Sequence, residues 1–155
     1  MQMDSNPNLV LAWLWILLGF VSGMVLGLFF HGESWLGGYA SYRRRMYRLG
    51  HISFFGLGVV NFIFAMTVQK MAGSGPLVGL ASWAFIAGAV TMPLCCGVMA
   101  HFPKARLIFA VPVVSLILGG ALALAAILRA PNTADVAKNS PAVTFNLQPS
   151  TSHSP

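Results

Sequence analysis

Carboxylates are almost missing from this chain. Its 155 residues include three acids, Asp4, Glu33 and Asp135, and none of them lies within a long apolar run. That scarcity excludes hydrolysis by paired carboxylates. It also removes the buried acid that proton-coupled transport through Asp or Glu requires. Charged residues of both signs make up 8% of the chain and apolar residues 57%, against about 25% and about 45–50% in soluble domains. Water could not solvate a surface of that make-up, so the solvent has to be lipid. The net charge of +6 reflects missing acids rather than abundant cations, of which there are nine. Nucleic acid is therefore not an expected partner.

Cysteine is also scarce. Cys95 and Cys96 are adjacent, and neighbouring Cα atoms about 3.8 Å apart rarely close a disulfide without strain. No disulfide framework follows. There is no Gly-rich loop ahead of a Lys-Ser/Thr pair and no HExxH zinc helix. With Glu33 the one acid near a histidine that it might orient, an enzyme is not expected.

What is present is four long apolar segments: 9–30, 52–69, 77–101 and 107–128. At about 1.5 Å per residue each is long enough for a hydrocarbon core of about 30 Å. No basic residue precedes the first segment and no small-x-small site follows it, so it reads as a retained span rather than a cleaved leader. The expected fold class is an all-α membrane protein, a four-transmembrane-helix bundle over 9–129. A short segment, 1–8, precedes it. A polar tail, 130–155, carries Pro131, Pro141, Pro149, Pro155 and His153 and has too little to bury to be ordered.

Basic residues in alternate loops set orientation. Arg43, Arg44, Arg45 and Arg48 follow span one, and Lys104 and Arg106 follow span three, six in all. The opposite side has three: Lys70, Arg129 and Lys138. The pattern predicts an N-out/C-out protein. Its short loops and lack of organelle-targeting features suit a bacterial plasma (inner) membrane.

In the 31–50 loop, Tyr39, Tyr42, Met46 and Leu49 fall at helical spacing. Arg44, Arg45 and Arg48 lie largely off that side. A short cytoplasmic amphipathic helix between helices 1 and 2 fits, with Arg43, Arg44, Arg45 and Arg48 on lipid headgroups. Trp13, Trp15 and Trp35 suit interface belts. For helix packing, Gly19, Gly23 and Gly27 form a row on one face of span one, which allows close approach within the chain or in a homo-oligomer. Asn61 in span two needs a polar partner. Pro93 and Pro112 are expected to kink spans three and four.

The orientation argument places His31, His51 and His101 at one interface. A b-type haem between His51 and His101 is one reading, with nearby glycines giving room and arginines meeting the propionates. Cys95, Cys96 and Met99 allow a soft metal as another, although Cys95 and Cys96 lie six and five residues before His101, awkward for one helical face. Structural roles suffice for all of these side chains and are preferred: histidine suits helix ends, and cysteine in a span behaves as a small apolar residue. The leading functional expectation is an accessory, assembly or structural subunit of a larger membrane complex. A haem-binding electron-transfer subunit is the alternative, and a small channel or transporter the third.

Overall fold

The computed structural model describes residues 6–71 and 75–129. The expected tail, His153, Lys138 and most of the N-terminal segment lie outside these. The described chain is all-helical: α1 (Pro7–Phe29), α2 (Tyr42–Lys70), α3 (Pro76–His101) and α4 (Ala110–Arg129). A 3-10 turn, Trp35–Gly37, lies between α1 and α2, and a second, Pro103–Phe109, leads into α4. Four helices are long and apolar enough to cross a membrane, which is compatible with a small integral membrane protein.

Helix ends follow from local chemistry. Pro7 opens α1 behind Asn6, whose side chain accepts from the Asn8 N–H at 3.1 Å. Ser41 caps α2, accepting from the Arg44 N–H at 3.2 Å. Its own hydroxyl donates back to the Leu36 carbonyl at 2.6 Å. The turn before it runs through positive φ at Leu36, Gly37 and Gly38 (55°, 85° and 91°), where the two glycines carry no Cβ penalty.

The expected separate amphipathic helix is replaced by one continuous element. α2 starts at Tyr42, not Ile52, because nothing between Tyr42 and Lys70 breaks a helix once Ser41 has capped it. At 29 residues it is about 44 Å long, which leaves its first turns beyond a hydrocarbon core of about 30 Å. Pro112 is also placed differently from expectation. It falls in the first turn of α4, where a missing N–H costs little. Pro93 does lie inside α3.

The helices pack in chain order: α1 on α2, α2 on α3, α3 on α4. α1 meets α3 over a small area only, and α1 and α4 share no extensive contact. Two apolar clusters result, one of Phe64, Val78, Ala81, Phe85 and Ala126, the other of Trp15, Leu57 and Ala89. The outer faces of α1 and α4 remain exposed, Leu28 at 72% and Leu128 at 77% for example.

Lipid tails are as apolar as leucine, so apolar packing alone selects few arrangements and polar contacts select more. Asn8 and Asn61 are both fully buried, and Asn8 Nδ2 donates to Asn61 Oδ1 at 2.8 Å. Asn61 Nδ2 donates to the Leu57 carbonyl at 2.9 Å, and the Ser82 hydroxyl donates to Asn8 Oδ1. Three helices are thereby tied at one end. Asn61→Leu is expected to cost about 1–2 kcal/mol, because the Asn8 amide loses its acceptor. Adding Asn8→Leu should recover part of that loss. Unfolding measurements in detergent on both single variants and the double variant check this; simple additivity would contradict it.

Candidate functional site

A second polar tie lies deeper. Proline at position 93 has no N–H to give, so the Ala89 carbonyl, four residues earlier, loses its helical donor. The indole of Trp15 supplies the replacement, Nε1 donating to the Ala89 carbonyl at 3.1 Å. α1 is thus pinned to α3 at Ser82 and Ala89 and departs from it beyond Trp15.

Where α1 and α3 separate, an open-sided groove of about 590 Å³ forms above α2. Trp15, Leu18, Ser22 and Leu26 border it from α1. Tyr47, His51 and Phe54 form its floor, and Pro93, Cys96 and Gly97 its far wall. Its surface is almost wholly apolar, and its volume lies in the range of small-molecule sites.

His51, half-buried, is the chemically distinctive group on the floor. Its Nδ1 lies 2.9 Å from the Ser22 Oγ, and that hydroxyl is 3.1 Å from the Gly19 carbonyl. The single hydroxyl proton has two acceptors to choose from. Donated to Gly19, it leaves His51 protonated on Nδ1 with Nε2 as an acceptor. Donated to Nδ1, it leaves Nε2–H as a donor. Among the described residues Nε2 has no hydrogen-bond partner. The ring packs over Gly23, where an added Cβ would come within 2.8 Å of Cε1, and edge-on to Phe55. Phe55 in turn fills the notch at Gly19, and Gly27 faces open space. The glycine row therefore admits two side-chain knobs from α2 at Gly19 and Gly23, and no neighbour at Gly27.

The three histidines are not gathered. His31 is exposed after α1. His101 is exposed at the end of α3, its Nε2 3.0 Å from the Tyr47 hydroxyl, and it does not line the groove. Cys95, Cys96 and Met99 are buried. The Cys95 thiol faces the Ile108 carbonyl at 3.4 Å, while the Cys96 Cβ packs against Gly50 of α2. Among the described residues no group of three His, Cys, Asp or Glu could hold a metal ion.

The arginines divide. Arg43, Arg45 and Arg48 are exposed, but Arg44 is 1% exposed and is not free to meet a headgroup. Its Nη2 donates to the Phe30 carbonyl at 2.8 Å, at the negative end of the α1 dipole. Its Cζ lies 4.0 Å from the ring centres of both Phe30 and Tyr39, which meet edge-on at 75°. Nε and Nη1 have no acceptor among the described residues. Ring faces and the helix terminus, rather than an acid, balance this cation. Sequence reasoning placed Arg44 with the headgroup arginines because four arginines in a row of six look alike. The one available signal was Phe30, Trp35 and Tyr39 standing close before them.

Comparison with known proteins gives no match to a family model, a curated protein or a solved structure.

Proposed function

We propose that this chain is an accessory or assembly subunit of a larger membrane complex. We place it N-out and C-out in a bacterial plasma membrane, with Arg43, Arg45, Arg48, Lys104 and Arg106 on the cytoplasmic side. The observation that carries the reading is the open arrangement of the helices. α1 and α4 bury little of their surface and flank a fixed α2–α3 centre, which suits packing against other membrane helices. The contact between Tyr47 and His101 also brings the start of α2 and the end of α3 together. The basic residues in the first turns of α2 and those just after α3 thus share one end.

Gentle extraction from the native membrane should yield the chain with a partner at fixed stoichiometry, and a reporter fused near Lys104 should read inside. Recovery of the chain alone would count against the accessory role. An outside signal would reverse the orientation while leaving that role standing.

The haem reading needs two imidazoles bordering one cavity, and His51 borders the groove while His101 does not. It would displace the accessory role if the purified protein showed a Soret band that both His51→Ala and His101→Ala abolish.

A further inference from the structure

We propose that the groove between α1 and α3 binds one anionic phospholipid, with its phosphate at the Tyr47 end and an acyl chain running toward Trp15. The inference does not depend on the accessory role. The polarity along the groove follows the order of groups along such a lipid. From Ser22 down to Trp15 the lining is apolar over about 10 Å. At the Ser22 level His51 offers its unpartnered Nε2, which becomes a donor to a glycerol ester carbonyl when Ser22 donates to Nδ1. One turn further out stands the Tyr47 hydroxyl, already in contact with His101.

Beyond Tyr47 the helical register supplies charge. Met46, Tyr47, Gly50, His51 and Phe54 are the groove positions of α2. Three or four residues before the first two lies Arg43, exposed on the same face. On α3, Leu94 and Gly97 line the groove, and His101 continues their face, with exposed Lys104 just beyond. The far end, at Trp15 and Val90, carries no charge. A ligand with an apolar body and negative charge at one end is complementary. A zwitterionic lipid would use the same apolar surface with less gain at Arg43.

The test uses the full-length protein in nanodiscs, with Trp13→Phe, Trp35→Phe and Trp83→Phe leaving Trp15 as reporter. Phosphatidylglycerol brominated in its acyl chains is compared with brominated phosphatidylcholine at equal mole fraction. Phosphatidylglycerol should quench Trp15 more strongly. Arg43→Gln should reduce that preference about fivefold, as expected for losing one cation at the surface. Gly97→Leu should abolish it, since a side chain there enters open space within the groove. Leucine also suits a helix better than glycine, so circular dichroism should stay unchanged.

Equal quenching by the two lipids would overturn the proposal, as would a preference surviving Gly97→Leu. Trp15 shielded from both lipids would overturn it in favour of a protein occupant, or of haem if a Soret band accompanies it.

Discussion

Trp15→Phe should destabilise the protein by about 1–3 kcal/mol, although it keeps a large aromatic ring in place. What is lost is the one N–H that reaches the Ala89 carbonyl, a buried acceptor that then stands without a strong donor. The effect should depend on Pro93. In a Pro93→Ala background the residue at 93 has an N–H of its own to offer Ala89, so Trp15→Phe should cost much less there. A double-mutant cycle by unfolding in detergent measures the coupling. Equal costs in the two backgrounds would mean that the indole contributes through packing on Leu57 and Ala89 and not through its hydrogen bond.

The second large effect is at Arg44. Arg44→Leu should cost about 2–4 kcal/mol, combining a charged hydrogen bond to the Phe30 carbonyl with cation–π contacts to Phe30 and Tyr39. Arg44→Lys should recover only part of this, because an ammonium lacks the planar surface that lies against two rings. Trypsin should cut the 31–41 connection's neighbours Arg43 and Arg45 faster in either variant. Arg43→Gln and Arg45→Gln, at exposed positions, should leave stability within about 0.5 kcal/mol. Comparable losses at all three arginines would refute a special role for Arg44.

Four apolar helices were legible in the sequence because their lengths and lack of charge leave few alternatives. What the sequence hid is direction. Arg43 and Arg44 are neighbours in sequence, yet about 100° of helical rotation puts one in solvent and the other among aromatic rings. His51 and His101 lie toward one end of the bundle, yet one turns to Ser22 of α1 and the other to Tyr47 of α2. Pro93 was visible as a broken hydrogen bond, but its replacement donor lies 78 positions earlier, at Trp15. Nothing in local spacing points to it. The groove was invisible for the same reason: it exists because α1 is pinned to α3 at Ser82 and Ala89 and nowhere beyond.

The chain-order packing has a consequence for biogenesis. Each extensive interface joins a helix to the one just made, so contact order is low and no late segment must thread between earlier ones. α1 and α2 can dock as a hairpin before α3 has left the ribosome. The arrival of α3 then closes the Asn8 and Trp15 ties and creates the groove in the same step. α4 adds to α3 and supplies no lining residue to that cavity. A growing chain would therefore have the groove in place before α4 is made.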